Sequence, residues 1–159
     1  MTTSDTETTP TRGVQHDALA VFLGRWRAEG TSYGSPNQSD DDPKGAPEPW
    51  RSTCTGTWHS GEFFLIQDER VMIGANPFDT LSVMGVDEDG SYFARSFENH
   101  GFYRHYRVER DGDKWTLSGD TERATITFKD EGKTQVLVWE WKREEAWLPL
   151  CDRTASKIE

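Results

Sequence analysis

The fold is decided by one stretch near the start of the chain, Leu23-Gly24-Arg25-Trp26-Arg27-Ala28-Glu29-Gly30-Thr31. Just before it, apolar residues recur on a helical period over residues 15–23, and a glycine then supplies the usual helix stop. From Arg25 onward, apolar and charged side chains alternate as they do in a half-buried strand. The chain therefore predicts a short amphipathic helix that turns tightly at Gly24 into a first strand, with Trp26 on one face of that strand.

After this stretch the chain continues as a succession of strand-like runs in which β-branched or aromatic residues alternate with polar ones. The further predicted strands are residues 50–60, 62–73, 81–87, 92–99, 102–109, 114–118, 123–128, 134–142 and 147–158. Turn pairs such as Asp89-Gly90 and Asp111-Gly112 separate several of them, as in antiparallel hairpins. About ten strands behind one helix predict an all-β fold closed into an antiparallel barrel, because closure removes the sheet edges. Trp26 is expected to plug the closed end of this barrel.

The composition fits one domain with a small aromatic core. Of 159 residues, 33% are hydrophobic and 12% aromatic, including seven Trp and eight Phe, so the core must be built from few, large side chains. Residues 1–13 are Thr-rich and almost without apolar side chains, which predicts a disordered tail followed by a single domain over residues 14–159. Residues 34–49 are rich in proline and contain an aspartate run, which predicts a long acidic loop.

Charge and segment composition exclude several classes of function. Lys and Arg number 18 against 28 Asp and Glu, for a net charge of -10, which would repel a nucleic-acid backbone or an anionic membrane. No apolar run is long enough to span a membrane, and the N-terminus lacks the features of a signal peptide. We therefore expect no nucleic-acid partner, no membrane partner and a cytoplasmic location. The two cysteines, Cys54 and Cys151, are too few for a disulfide scaffold.

A helix followed by Gly-x-Trp at the start of an all-β chain of this length resembles the lipocalin and calycin barrels. More particularly, residues 23–31 resemble the opening of nitrobindin-like proteins and of an uncharacterised family of bacterial calycin-like domains. Residues 123–128 (Arg-Ala-Thr-Ile-Thr-Phe) and 147–152 (Trp-Leu-Pro-Leu-Cys-Asp) look like the second of these families. The resemblance spans most of residues 15–158 and implies a barrel of about ten strands whose interior holds a small ligand.

In nitrobindins that interior ligand is haem b, held by a histidine near the C-terminus. The closing strand of this chain, residues 151–159, contains no histidine, so His100 or His105 would have to take its place. We therefore predict no cofactor. The four histidines of the chain also lack a metal-ligand spacing on one element, and no metal is predicted.

The alternation of side chains on two central strands singles out four candidate ligand-binding residues. In residues 102–109 the more apolar face carries Arg104 and Tyr106, and we place this face inside the barrel. Glu98 and His100 share a face of the preceding strand and join them if that face also points inward. A buried guanidinium needs a counter-charge, which predicts an internal Glu98–Arg104 pair or an anionic ligand. A solvent-facing set of cross-strand ion pairs is the alternative.

These observations predict a protein that binds a small, partly apolar molecule inside its barrel, with an anionic group on that molecule as one option. One alternative is an isomerase or cyclase that uses Tyr106 with a carboxylate or His100 for proton transfer, although no nucleophile elbow or phosphate loop accompanies them. Another is a structural module with a filled barrel that self-associates, and a homodimer is among the expected partners. Trp139 and Trp141 share a face, interpreted as core packing, as an aromatic lining or as a dimer patch.

Overall fold

A computed structural model describes residues 9–158 of the chain. The opening helix α1 spans Val14–Ala18 and continues as a 3₁₀ turn over Leu19–Phe22. The strands are β1 Gly24–Ser32, β2 Glu48–Trp58, β3 Leu65–Ile73, β4 Asn76–Pro77, β5 Thr80–Val86, β6 Tyr92–Glu98, β7 Tyr103–Asp111, β8 Lys114–Ser118, β9 Glu122–Lys129, β10 Thr134–Arg143 and β11 Ala146–Lys157. A second 3₁₀ turn, Asp130–Gly132, joins β9 to β10. Residues 1–8, which make up most of the predicted disordered tail at 1–13, lie outside the described residues.

Ten of the strands close into one antiparallel barrel. Each long strand pairs with the next long strand along the chain, and β11 returns to pair with β1. The two-residue strand β4 pairs only with the end of β3, within the connection that leads to β5. The predicted all-β, calycin-like antiparallel barrel with a short N-terminal helix is therefore confirmed. Closure pairs every long strand in residues 9–158 on both sides, which removes the exposed edges of an open sheet.

One end of the barrel is filled by aromatic side chains, with Trp26 among them. Gly24 has a φ of +106°, a conformation that glycine adopts freely and that lets the chain turn sharply into β1. Trp26 is 2% exposed, and its Nε1 donates a hydrogen bond to the Phe22 carbonyl oxygen at 3.2 Å. Phe22 in turn packs edge to face against Trp115 and Phe128. Because this closed end is filled, an interior site must lie toward the opposite end, which we call the mouth.

The predicted acidic loop lies at the mouth. It joins β1 to β2 as residues 33–47, and one of its side chains, Gln38, connects it to β10 and β11, the two strands that follow β1 around the barrel. Gln38 accepts a hydrogen bond from Trp141 Nε1 at 2.7 Å and donates one to the Pro149 carbonyl oxygen at 2.8 Å. The loop thus packs along the ends of β10 and β11 at the mouth, and we call residues 33–47 the strap.

The two cysteines are free thiols on strands that flank β1. Cys54 stands opposite Trp26 on β1, whereas Cys151 stands opposite Ser32 at the other end of the same strand. The separation along β1 between positions 26 and 32 is about 20 Å at strand rise. This is far more than the roughly 6 Å between the Cα atoms of a disulfide, so the strand register keeps the two thiols apart.

Candidate ligand site in the barrel lumen

One wall of the lumen carries a polar row that crosses four neighbouring strands. The row consists of cross-strand partners on β3, β5, β6 and β7, namely Gln67, Ser82, Ser96 and Arg104. They face inward because each shares its strand face with a buried residue two positions away, such as Leu65 or Tyr106. Leu65, nearer the closed end, is fully buried, whereas all four members of the row remain partly exposed. Solvent therefore reaches the lumen as far as this row.

The facing wall carries several small apolar side chains beside the charged residues described below. Ala124 of β9, Ala155 of β11 and Ala28 of β1 are almost completely buried. Between them, β10 directs Leu137 and Trp139 toward the interior, because these residues alternate with the outward-facing positions of that strand. The small side chains at mid-lumen occupy less volume than the large aromatic side chains at the closed end. The lumen is therefore lined by both apolar and polar side chains.

Arg104 is held inside the barrel by a carboxylate from β9. Its Nε lies 2.8 Å from Glu122 Oε2, and the Tyr106 hydroxyl donates a hydrogen bond to Glu122 Oε1 at 3.1 Å. Burial raises the pKa of Tyr106, and the negative charge of Glu122 raises it further. The phenol is therefore protonated at neutral pH and serves Glu122 as a donor. The guanidinium also stacks over the Phe102 ring, 4.9 Å from its centroid.

A second ion pair lies on the other side of the lumen. Arg153 Nη2 lies 3.6 Å from Glu69 Oε1, and the two side chains are 9% and 17% exposed. The Ser52 hydroxyl donates to Glu69 Oε2 at 3.0 Å, and the Trp50 ring packs against the guanidinium at 4.2 Å. Cys151 Sγ lies 3.8 Å from the same guanidinium. As in the first cluster, the guanidinium is matched by its own carboxylate.

Trp139 lies between these two clusters and holds an unused hydrogen-bond donor. Its ring packs edge to face on Tyr106 at 5.6 Å, and its cross-strand partner on β11 is Cys151. In residues 9–158, Trp139 Nε1 is the one fully buried side-chain nitrogen or oxygen without a hydrogen-bond partner. Leaving such a donor unpaired costs about 1–3 kcal/mol. The inward direction of Trp139 and Trp141 rules out the dimer-patch interpretation and leaves core packing or lining.

The structure places Arg104 and Tyr106 together in the lumen, but it places Glu98 and His100 at the rim of the mouth. Glu98 accepts a hydrogen bond from the backbone N–H of His100 at 2.8 Å, and His100 Nδ1 lies 2.8 Å from Glu98 Oε2. The expected Glu98–Arg104 pair does not form, because the turn after β6 occupies the Glu98 carboxylate and Glu122 reaches the guanidinium instead. Ligand binding by these four residues stays a prediction.

Sequence reasoning missed Glu122, Glu69 and Arg153 as lumen residues. Glu122 lies one position before the predicted start of its strand. The alternation that places Ala124 inside the barrel therefore does not include Glu122 in the sequence prediction. Glu69 shares a strand face with Leu65, a signal that the apolar pattern already contains. No local signal identifies Glu122 as the partner of Arg104, because the pairing depends on how the strands beyond β7 return to it.

The strap packs against β10 and β11 at the mouth. Gly34 packs so closely on β11 that a Cβ atom there would lie 2.4 Å from Leu150 Cδ1. A polar concavity of about 280 Å³ lies beside the strap, lined by Gln38, Asp40, Arg143 and Glu144. A second concavity, of about 300 Å³, lies on the outer face of β1 to β3. Both concavities lie outside the lumen.

Residues 9–158 contain no group of three or more His, Cys, Asp or Glu side chains that could hold a metal ion. Over the same range, the chain forms no helix with the length and apolar character needed to cross a bilayer.

Comparison with known proteins identifies the fold. No model of a protein family matches the chain, and no curated protein matches it. Among solved structures it is similar to the zebrafish ileal bile acid-binding protein complexed with cholic acid, with a TM-score of 0.55, 14% identity, and coverage of 87% of this chain and 99% of that one. It is also similar to the S-type phycobiliprotein lyase CPES from Guillardia theta, with a TM-score of 0.57, 13% identity, and coverage of 93% and 94%. At such identities the likeness shows the fold, and that fold is a calycin-type barrel.

Proposed function

We propose that this chain binds a small, partly apolar molecule in its barrel lumen, with a polar group of that molecule at Trp139. The observation that carries the proposal is the buried Trp139 Nε1, for which residues 9–158 offer no acceptor. The polar row opposite an alanine-lined wall suits a molecule with an apolar body and few polar groups. Both structural neighbours support it, since one is a bile acid-binding protein complexed with cholic acid and the other a phycobiliprotein lyase.

In this proposal the four predicted residues have different roles. Arg104 and Tyr106 line the middle of the lumen, while Glu98 and His100 contact the part of the ligand nearest the mouth. An anionic ligand is one of two predicted ways to supply the counter-charge that Arg104 needs, and Glu122 lies 2.8 Å from this guanidinium. What the site lacks is an acceptor oxygen for Trp139, which a carbonyl or a carboxylate could supply.

We propose binding rather than catalysis. The Tyr106 hydroxyl already donates to Glu122, and its raised pKa makes it a weaker acid than a free phenol. A general acid or base works best when its pKa lies near the working pH. His100, the other candidate for proton transfer, is about half exposed at the rim.

We also propose that the barrel functions without haem. The resemblance to nitrobindins implies a histidine on the last strand, but the buried residues of β11 are Leu148, Cys151 and Ala155, with Arg153 between the last two. Burial raises the pKa of the Cys151 thiol, which disfavours the thiolate form that binds iron. His100 Nδ1 is occupied by Glu98 at the rim. These residues do not fit a haem ligand set.

We also propose a family relationship, a location and an oligomeric state. The family relationship is to bacterial calycin-like domains and, more distantly, to nitrobindins, and it is supported by the motifs at residues 23–31, 123–128 and 147–152. A cytoplasmic location is supported by the two free thiols, and the absence of nucleic-acid and membrane partners by the net charge of -10. A homodimer is supported by an exposed apolar row on the outer face of β5 to β7, formed by Leu81, Phe97 and Tyr103.

The test of ligand binding is a thermal-shift and native-mass screen of the full chain against apolar molecules that carry one carbonyl or carboxylate. We expect at least one compound to raise the melting temperature and to bind with one-to-one stoichiometry. Trp139→Phe and Arg104→Ala should each lower the affinity for that compound about fivefold or more, the equivalent of one lost hydrogen bond. The matched control is Arg123→Ala, which removes an arginine paired with Glu140 on the outer surface. Compounds that bind both lumen variants as tightly as the unmodified chain would contradict the proposal.

A further inference from the structure

The middle of the lumen holds two ion pairs, each formed by one arginine and one glutamate. Arg104 pairs with Glu122 at 2.8 Å, and the second guanidinium pairs with Glu69 at 3.6 Å. The hydroxyl groups of Tyr106 and Ser52 donate to the two carboxylates. Neither of these two guanidinium groups is therefore left without a carboxylate.

The one unsatisfied polar atom between these pairs is neutral. Trp139 Nε1 is buried and has no acceptor among the described residues, and its ring lies against Tyr106 and beside the cross-strand partner Cys151. An indole N–H is a donor only and carries no formal charge. The lumen therefore lacks an acceptor oxygen but does not lack a negative charge.

We propose that the ligand is electrically neutral and that a carbonyl oxygen of a ketone, aldehyde, ester or amide accepts the Trp139 hydrogen bond. This inference rests on the proposed function and narrows the class of ligand. A carboxylate would satisfy the same N–H, but it would bring a third negative charge close to Glu122 and Glu69 with neither guanidinium free to match it. A carboxylate that loses its water on entering the lumen without gaining a counter-charge is costly to bind, whereas a neutral carbonyl carries no such cost.

The experiment compares isosteric pairs of probes that differ only in charge. Undecan-2-one is paired with decanoate, and 2-acetylnaphthalene with 2-naphthoate, so that an aliphatic and an aromatic body are both covered. Binding is measured by calorimetry on the full chain at neutral pH. We expect the ketone of at least one pair to bind about tenfold or more tightly than its carboxylate. The indole N–H signals of the seven tryptophans are followed by NMR, and the Trp139 signal, identified by its loss in Trp139→Phe, should move downfield on adding that ketone.

Two substitutions separate the charge argument from general damage to the site. Glu122→Gln keeps the shape of the side chain but leaves Arg104 without its carboxylate. The ratio of the affinity for the ketone to the affinity for the carboxylate probe should therefore fall about tenfold. Glu140→Gln is the matched control, because Glu140 pairs with Arg123 at 2.7 Å on the outer surface and should leave the preference unchanged. If Glu122→Gln fails to fold, Trp139→Phe supplies the test, because it should lower the affinity for the ketone about fivefold.

The outcomes distinguish this inference from the proposed function. Tighter binding of the ketone, together with a shifted Trp139 signal, supports both. Tighter or equal binding of the carboxylate by the unmodified chain overturns the neutral-ligand inference and leaves lumen binding in place. Binding that leaves the Trp139 signal unmoved places the ligand elsewhere and overturns both, as does the failure of all four probes to bind.

Discussion

At the scale of single residues, Cys54 shows that the lumen disfavours a charged side chain without a partner. Its thiol faces inward from β2, and burial, followed by the nearby negative charge of Glu69, raises its pKa from 9.0 to about 12. The thiolate is therefore disfavoured in the folded chain relative to the unfolded one. At neutral pH the thiol is fully protonated and unreactive, in contrast to the low-pKa thiolates of catalytic cysteines.

This raised pKa predicts a loss of stability in alkaline solution. Below pH 9 the thiol is protonated in both states, whereas between pH 9 and 12 the unfolded chain loses the proton and the folded chain keeps it. The free energy of unfolding should therefore fall as pH rises through this window, by about 2 kcal/mol between pH 9 and 11. Cys54→Ala should remove that part of the fall, measured as the difference between urea unfolding curves at the two pH values. An equal pH dependence in both proteins would show that Cys54 does not contribute.

Individual residues also show how far the site can be predicted from sequence. The inward positions of Arg104 and Tyr106 follow from strand alternation, because apolar residues share their face. The partner of Arg104 does not follow, since Glu122 meets it only through the curvature of the barrel between β7 and β9. The unpaired N–H of Trp139 is even harder to predict from the sequence. Whether an N–H lacks an acceptor depends on every atom around it, and the spacing of residues along the chain does not contain that information.

At the scale of elements, the strap depends on contacts with β10 and β11 for its position at the mouth. The most connected of its side chains is Gln38, which accepts from Trp141 Nε1 and donates to the carbonyl oxygens of Pro43 and Pro149. The strap itself, residues 33–47, contains no strand or helix. A segment held by few bonds opens locally without unfolding of the barrel.

Gln38→Ala should release the strap. With about 1 kcal/mol lost for each hydrogen bond, opening should be favoured by at least about tenfold. Amide exchange over residues 33–47, and cleavage at the Asp40 to Asp42 run by an aspartate-specific protease, should both accelerate by that factor. The matched control is the neighbouring Asn37→Ala, whose exposed side chain makes none of these contacts. Equal exchange rates in the two variants would contradict a fastening role for Gln38.

The contact between the opening helix and the barrel depends on a second element-scale feature, the glycine at position 56 of β2. A Cβ atom there would lie 2.2 Å from the Phe22 carbonyl oxygen, so the 3₁₀ turn rests directly on this strand. Gly56→Ala should lower the free energy of unfolding by about 2 kcal/mol or more, because the backbone of the turn must shift. Gly13→Ala is the control, with no atom within 4 Å of its Cβ. Equal urea midpoints for the two variants would show that the turn is free to move.

The elements themselves were largely predictable. Predicted and observed strand ends agree within about three residues, because alternation and glycine turns are local signals. The helix differs more: only Val14–Ala18 is α-helical, and Leu19–Phe22 is a 3₁₀ turn. Its buried residues, Leu19 and Phe22, lie three positions apart, a spacing that the tighter 3₁₀ geometry stacks on one face. Tertiary packing over the closed end, rather than helix periodicity, determines this conformation.

At the scale of the whole molecule, the closed barrel hides its strand edges but leaves apolar side chains on one outer face. Leu81, Phe97 and Tyr103 are cross-strand partners on β5, β6 and β7 and are each more than 40% exposed. The rings of Phe97 and Tyr103 lie 5.1 Å apart. A contiguous apolar row of this kind is typical of a contact surface. The net charge of -10 on each copy opposes association, because it repels a second copy at long range.

These opposing terms predict a homodimer that depends on salt. Above about 0.15 M salt, screening acts within roughly 8 Å and removes most of the repulsion between exposed charges, while apolar burial is unaffected. Sedimentation at rising protein concentration should therefore show a shift from monomer to dimer that is larger at high than at low ionic strength. Phe97→Ser should abolish the shift, since it removes the middle member of the row. Val138→Ser should not, although Val138 is equally exposed at 44% on the outer face of β10. A chain that remains monomeric at high concentration and high salt would eliminate the homodimer, and equal effects of the two substitutions would place the contact on another face.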